Sequence, residues 1–585
     1  MIEFYIVIAG MIMMLSCLIF EIERPEIIIP STLLFFVMTG VISLQEATKG
    51  FSNEGMLTIG LLFLIAGSIQ GSGIVDHALL KLLDRSNSSR HMLAKLLFPV
   101  SILSAFLNNT PIVIAFTPLV KKWCEDHQLS PSKFLIPLSY ATILGGTITL
   151  IGTSTNLVVH GLLLDHNLRG FTFFELSKVG IPVTLIGLCY LIFFSNYLLP
   201  ARKSTLAKGE NVREFTGEVL ILEDFPYIQK TVEQAKLRSL KGLFLVSIIR
   251  DTGVITPVSN TTVLKANDRL IFTGDITTIT ELQGNKGLQL LSTVEDDFPR
   301  HHELVQAVVS HHSSLLFKRI KETNFRSRYD AAVIAVHRQN QRLKAKIGDI
   351  VLKPGDSLLL VAGAEFQKRI HTNDFYLVTP IDKKILTQKQ KKQGWFSVLL
   401  LGAMILLVTF GFVSMLTGMT LAALILFLFR IVHPQVAKNA IQWNVLIIIS
   451  CSFGIGYALM NSGVASFAAS LLMEASQPFG IFAVITAIYL LTNVFTELMT
   501  NSAAAVMMFP ISLEISSAMN LDPVALAVLV TIAASASFAT PIGYQTNLIV
   551  YGPGGYQFKD FLRIGIPLNI ITMITTVTAV HFFWL

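Results

Sequence analysis

The sequence predicts an α-helical polytopic membrane protein made of two inverted repeats, each of five spans plus a re-entrant hairpin, with a soluble α/β insert between them. Three observations predict this class. Of 585 residues, 52% are hydrophobic and 14% charged, where soluble globular chains carry about 25% charged residues. Apolar runs long enough to cross a bilayer come in two sets, one on each side of a charged middle. One phrase is said twice: Ile151-Gly152-Thr153-Ser154-Thr155-Asn156-Leu157-Val158-Val159-His160-Gly161 returns as Ile542-Gly543-Tyr544-Gln545-Thr546-Asn547-Leu548-Ile549-Val550-Tyr551-Gly552, with seven of eleven positions identical at an offset of 391.

The first membrane repeat, residues 1–200, carries runs at 4–20, 27–44, 56–73, 134–164 and 179–199, with a sixth at 93–120. That sixth run is broken by Pro99, by Asn108-Asn109-Thr110-Pro111 and by Pro118, which predicts a helix followed by a re-entrant hairpin. The second repeat, 395–585, has runs at 395–412, 415–432, 443–461, 523–552 and 565–585, and a broken one at 480–510. Its hairpin cluster is Thr500-Asn501-Ser502, ahead of Pro510. The first run follows Met1-Ile2-Glu3 with no basic n-region or cleavage site and is expected to be retained as a span.

An odd number of spans turns the second repeat upside down, an arrangement used by secondary transporters. Charge supports the same topology. With the insert cytoplasmic, inside loops hold Arg24, Lys81, Arg85, Arg90, Lys95, Lys121, Lys122, Lys133, Arg430, Lys438, Lys559 and Arg563, whereas outside loops hold Lys49, Arg169 and Lys178. Both termini are then expected outside a cell (inner or plasma) membrane. The net charge of +7 is spread over loops and insert, with no basic tract interleaved with aromatics, so no nucleic-acid partner is expected. Cys17, Cys124, Cys189 and Cys451 show no paired spacing and read as small buried hydrophobes.

From Ala201 to Gly394 charged residues are frequent and apolar ones fall in short β-branched runs at 217–222, 243–249, 269–273, 331–336 and 357–362. The insert is itself duplicated: Val263-Leu264-Lys265-Ala266-Asn267-Asp268-Arg269-Leu270-Ile271 matches Val351-Leu352-Lys353-Pro354-Gly355-Asp356-Ser357-Leu358-Leu359 at an offset of 88. Two domains are expected, 201–297 and 298–394, the second including a linker. The pairs His301-His302 and His311-His312 lack the spacing of a good metal site.

An unwound backbone inside a bilayer persists only where it is buried in protein or lines a cavity. Its carbonyls and hydroxyls suit a hard cation such as sodium, and helix N-termini carrying Asn and Thr donors suit an oxyanion. A single Gly-x-x-x-Asn is more simply helix packing; two motif types recurring at a common offset favour a binding site. The repeat cores hold almost no ionisable groups, Glu497 being the exception, as a proton site or as a cap on backbone amides.

These motifs carry a family resemblance. Asn108-Asn109-Thr110 and Thr500-Asn501-Ser502 resemble the paired Ser-Asn-Thr signatures of the divalent anion:sodium symporter family, and Gly152-Thr153-Ser154-Thr155-Asn156 resembles its Gly-Thr-Pro-Pro-Asn segment. The stretches 145–156 and 540–547, followed by Tyr551-Gly552-Pro553-Gly554-Gly555-Tyr556, are similar to its sulfate-permease-like branch, in which TrkA C-terminal domains similar to this insert separate the repeats. The resemblance implies an elevator transporter, usually a homodimer in the lipid bilayer. It implies sodium sites around Asn108, Asn109, Gly152 and Asn156 and around Thr500, Asn501, Gly543 and Asn547, with Asn109, Thr110, Thr153, Asn501, Ser502, Tyr544 and Thr546 facing the anion. Asn108 and Thr500 replace the leading serines, Ser502 replaces a threonine and the Pro-Pro pair is missing, which favours a tetrahedral oxyanion such as sulfate over a dicarboxylate. The chain also departs from the family's usual eleven spans in lacking an extra first helix. Domains resembling the insert serve either as passive dimerisation modules or as regulatory units that bind small ligands, cyclic di-AMP among them, and both readings stay open.

Other classes lack their signatures. No Thr-Val-Gly-Tyr-Gly filter marks a channel, and no His-Glu-x-x-His, Gly-x-x-x-x-Gly-Lys or Gly-x-Ser-x-Gly marks an enzyme. The chief rival is a proton-coupled carrier or antiporter centred on Glu497; a receptor that binds without turnover is a weaker one.

Overall fold

The computed structural model describes residues 2–20, 22–72, 89–202, 216–235, 237, 243–250, 253–255, 258, 262–274, 287–292, 304–310, 313–338, 341–343, 347–363, 365–369, 374–379, 388–432, 437 and 440–585. The pairs His301-His302 and His311-His312 and the basic residues Lys81, Arg85 and Lys438 lie outside the described residues. The chain divides into two compact units, one of residues 1–202 with 384–585 and one of 203–383.

The first unit is helical. Its first half holds α1 (Ile2–Ile19), α2 (Pro25–Met38), α3 (Leu44–Lys49), α4 (Glu54–Gly71), α5 (Ser89–Ser104), α6 (Asn109–Asp126), α7 (Leu135–Gly146), α8 (Ser154–Asp165) and α9 (Ser177–Leu198). Its second half holds α10 (Gln388–Thr409), α11 (Met415–Leu428), α12 (Trp443–Asn461), α13 (Val464–Ser476), α14 (Ile481–Leu498), α15 (Asn501–Met519), α16 (Pro523–Ser535), α17 (Gln545–Tyr551) and α18 (Phe558–Trp584). Among the described residues, seven helices are long and apolar enough to cross a membrane. With the insert, this is a polytopic helical membrane protein carrying a β-sheet domain in its middle.

Helices α1–α4 pack with α10–α13, and α5–α9 pack with α14–α18. The two groups meet where α4 touches α8, α12 touches α15, and α13 touches α14 and α15. Two differences from the sequence reading stand out. The runs 134–164 and 523–552, each read as one apolar stretch, are each two helices joined by an irregular segment. Helix α13 lay unread between two runs: its small residues Ala465 and Ala469 are buried while Phe467 and Leu471 are exposed, a narrow amphipathic stripe too weak for a hydropathy window.

The insert holds two antiparallel five-stranded sheets. The first contains β1 (Thr216–Ile221), β2 (Leu243–Arg250), β3 (Gly253–Ile255), β4 (Arg269–Gly274) and β5 (Leu288–Ser292); the second contains β6 (Leu304–Val309), β7 (Ala331–Arg338), β8 (Gln341–Arg342), β9 (Ser357–Ala362) and β10 (Phe375–Thr379). Their orders, β3-β2-β4-β1-β5 and β8-β7-β9-β6-β10, are the same topology. Alternate residues face each core, Val219, Ile221, Leu270 and Phe272 in one and Val305, Ala307, Leu358 and Leu360 in the other.

The repeated Lys-x-x-Asp turn is a clamp. Asp268 accepts the Lys265 amide at 2.8 Å and both Nε and Nη2 of Arg250 at 2.7 Å, and Asp356 accepts the Lys353 amide at 2.9 Å and both Nε and Nη2 of Arg338 at 2.7 Å. The bidentate arginine, also 88 residues apart in the two sheets, ties a strand end to the Lys-x-x-Asp turn, a partner the sequence did not mark.

Beside the second sheet the buried Asp374 carboxylate takes hydrogen bonds from Tyr329 Oη at 2.6 Å, Ser314 N at 2.7 Å and Arg328 Nη2 at 3.0 Å. Burial raises its pKa, but these donors and the Arg328 charge outweigh burial and leave it below the ordinary carboxylate value. A depressed folded-state pKa means that its contribution is present above the unfolded value of about 3.9 and is lost as pH falls through the folded value. Asp374→Asn is therefore expected to make the insert easier to digest by protease at about pH 7, and to shrink the difference between about pH 7 and about pH 3. Unchanged digestion at neutral pH would refute this.

Candidate functional site

The site begins where two helix pairs break. Between α5 and α6, and again between α14 and α15, the chain leaves the helix for a few residues and re-enters it at an asparagine. Ser104 Oγ lies 2.6 Å from Asn109 Oδ1 and 2.8 Å from the Thr142 carbonyl; Thr496 Oγ1 lies 2.9 Å from Asn501 Oδ1 and 2.5 Å from the Ala534 carbonyl. All three partners in one half are displaced by 392 residues in the other. In each case one hydroxyl hydrogen is shared by two oxygen acceptors, leaving a surplus of acceptor capacity.

The repeated phrase closes the second break of each half. Asn156 Nδ2 donates to the Gly146 and Thr149 carbonyls at 3.0 and 2.7 Å, and Asn547 Nδ2 donates to the Ser537 and Thr540 carbonyls at 3.1 Å each. The Gly146 carbonyl ends α7 and the other three lie in the irregular segments that follow α7 and α16, where the amides hold them. Gly152 lies against the Gly146 backbone so closely that a Cβ would overlap its carbonyl, and a Cβ on Gly543 would overlap Ser537 Oγ.

Around these clefts lie buried oxygens with no hydrogen-bond partner among the described residues: Asn156 Oδ1 and Thr155 Oγ1 in one half, Thr500 Oγ1, Ser535 Oγ and Ser537 Oγ in the other. Orphaned hydroxyl and amide oxygens fit a hard cation, which takes oxygen ligands. Among the sequence-expected cation residues, Asn156 and Thr500 contribute such atoms, Gly152 and Gly543 shape the clefts, and Asn108 is half-buried just ahead of α6.

The clefts meet through side chains that cross between halves. Asn109 Nδ2 donates to Tyr544 Oη at 2.6 Å, and Thr153 Oγ1 lies 3.2 Å from the same hydroxyl, which also interacts with Asn501. Thr110 Oγ1 donates to Gln545 Oε1 at 3.2 Å. Asn109, Thr110, Thr153 and Tyr544 are all buried. Asn109, Thr153 and Asn501 stand at the starts of α6, α8 and α15, so the side chains that meet at the Tyr544 hydroxyl come from three helix N-termini. Ser502 is buried on the first turn of α15. Thr546 turns instead to Ser139, whose hydroxyl lies 2.9 Å from Thr546 Oγ1 and 2.8 Å from Asn547 Oδ1.

Glu497 has no twin, because its counterpart 392 residues earlier is Ala105. It accepts from the Ala539 amide at 2.7 Å, the Thr540 amide at 2.9 Å and Asn569 Nδ2 at 2.9 Å. Sequence reasoning passed over Ser104, Thr496, Ser139 and Gln545. For the first two a signal was present, since hydroxyl residues stand at the same offset as the asparagines they hold.

Residues 6–531 match the model of the citrate transporter family. The chain belongs to that family. It is 34% identical, over 94% of this chain and 96% of that protein, to a Chlamydomonas reinhardtii protein named "Putative sulfur deprivation response regulator". It is 31% identical to an uncharacterized transporter of Synechocystis, over 92% of this chain and 90% of that one. Sodium/sulfate cotransporter 1 of Chlamydomonas reinhardtii is 25% identical over 91% of this chain and 84% of its own length.

Proposed function

We propose that this protein is a sodium-coupled symporter of a divalent oxyanion, sulfate being favoured. The observation that supports this most is the pair of amides Asn109 and Asn501, each with its oxygen on an acceptor-rich side and with Tyr544 set against both. Among the described residues, Asn109 and Asn501 hydrogen-bond to Ser104, Tyr544 and Thr496, none of them a lysine or arginine. A divalent anion buried without a fixed cation is prohibitively costly, so cations must travel with it. The oxygen clefts at Asn156 and Asn547 supply places for them, and the sodium and sulfate named for the Chlamydomonas cotransporter are the corresponding cargo.

In this reading the halves are inverted repeats in a cell membrane, with the insert cytoplasmic and both termini outside. The group α5–α9 with α14–α18 moves as an elevator against α1–α4 with α10–α13. Motion would have to break the contacts that Asp165 makes to Lys49 Nζ at 3.3 Å and to Tyr457 Oη, since Asp165 ends α8 while Lys49 and Tyr457 belong to the other group. We also propose assembly as a homodimer, and an insert of two TrkA C-terminal-like domains, 201–297 and 298–394, as a regulatory unit for a small ligand such as cyclic di-AMP.

The test is uptake of radiolabelled sulfate into proteoliposomes with and without an inward sodium gradient, with thiosulfate, succinate and citrate as competitors. Sodium-dependent uptake blocked by unlabelled sulfate and spared by succinate supports the proposal. Uptake driven only by a pH gradient favours the proton-coupled reading, and equal competition by succinate or citrate favours a carboxylate carrier.

A further inference from the structure

We infer that Tyr544 is the residue that restricts the substrate to a compact anion, a role that rests on the proposed anion site. Tyr544 is the twin of Thr153, displaced by 391 residues. Both cap the N-terminus of their helix with extended backbone, at φ −140°, ψ 152° for Thr153 and φ −134°, ψ 135° for Tyr544. Equal backbones make the side chains the difference between the two halves of the site. A threonine stops close to its own helix. The tyrosine reaches across to the other half, where its hydroxyl stands 2.6 Å from Asn109 Nδ2 and 3.2 Å from Thr153 Oγ1, and against Asn501 as well.

The phenol therefore fills the ground between the paired positions, and its hydroxyl engages donors from both halves. A tetrahedral oxyanion gathers its charge on one centre and needs one cluster of donors. A dicarboxylate or tricarboxylate places its charges several bonds apart and needs two clusters with free space between them. With Tyr544 in place that space is taken, and the amide of Asn109, one of the donors a distant carboxylate would need, is already bonded to the phenol. The hydroxyl can rotate to donate to an incoming oxyanion while accepting from Asn109, so a compact anion gains a partner where an extended one meets an obstacle.

The experiment compares wild type, Tyr544→Thr and Tyr544→Phe in the same proteoliposomes, with labelled sulfate against unlabelled sulfate, succinate and citrate. Tyr544→Thr restores the residue type of the twin position. It is expected to make succinate or citrate at least about tenfold better as a competitor, the scale by which pocket shape alone discriminates. Tyr544→Phe keeps the ring and loses the hydroxyl, so it should weaken sulfate while still excluding succinate and citrate. Wild-type selectivity retained in Tyr544→Thr overturns the assignment, and so does admission of succinate by Tyr544→Phe. Equal competition by sulfate and succinate in the wild type instead sinks the oxyanion reading beneath it. Should Tyr544→Thr not elute as a monodisperse species, Tyr544→Ser carries the same comparison.

Discussion

Alanine at Asn109 or at Asn501 is expected to weaken sodium-driven sulfate uptake by about 10- to 150-fold each, the equivalent of losing one hydrogen bond to a charged group of about 1.5–3 kcal/mol. The effects should not be identical. Each variant leaves the shared hydrogen of its hydroxyl partner, Ser104 or Thr496, to a carbonyl alone, but Asn109→Ala also strips Tyr544 Oη of its 2.6 Å donor. Asn109→Asp keeps the shape but sets a negative charge beside the anion, and should abolish uptake while sparing the fold. The concentration dependence of sodium-driven uptake, measured beside thermal melts of the same samples, checks all three. Unchanged apparent affinity in both alanine variants would remove these amides from the site.

Glu497→Ala should be the most damaging single change in the second half. It leaves the Ala539 and Thr540 amides and Asn569 Nδ2 without their acceptor, each a partly buried donor whose orphaning costs about 1–3 kcal/mol. A lowered melting temperature together with lost uptake is expected. Glu497→Gln keeps one of the two oxygens, so an intermediate melting temperature and about a tenfold loss of uptake should follow. The proton-carrier reading expects the opposite pattern: Glu497→Gln would melt like wild type yet lose all exchange driven by a pH gradient. Melting curves and pH-gradient assays on that one variant separate the two roles.

Much of the candidate site is legible in the sequence. Polar, glycine-containing breaks inside apolar runs are costly in a bilayer, so Asn108-Asn109-Thr110, Thr500-Asn501-Ser502 and the two copies of the Gly-x-x-x-Asn phrase declared themselves by position and by repetition. The insert was equally legible, because β-branched runs and a doubled Lys-x-x-Asp turn are local signals that need no partner to be seen. Helix α13 was not, since its buried face is small and its length short, and the Arg250 and Arg338 clamps were not, since a charged residue at a strand end looks like any solvated one.

The sequence by itself determined the bilayer as solvent, the duplication of both the membrane unit and the insert, and the residues at which each helix must break. Composition and periodicity carry those facts because they depend only on what each stretch of chain can bury. The tertiary structure alone decided who answers whom. Asn109 and Tyr544, 435 residues apart, share a hydrogen bond; Ser139 meets Asn547; Glu497 holds the turn at Ala539 and Thr540; and Asn156 Oδ1 is left unpaired while Asn547 Oδ1 is satisfied. The physical reason is that a buried polar atom can be satisfied by any matching group the fold brings within about 3 Å. Sequence shows the need for a partner, and only packing selects which one fills it.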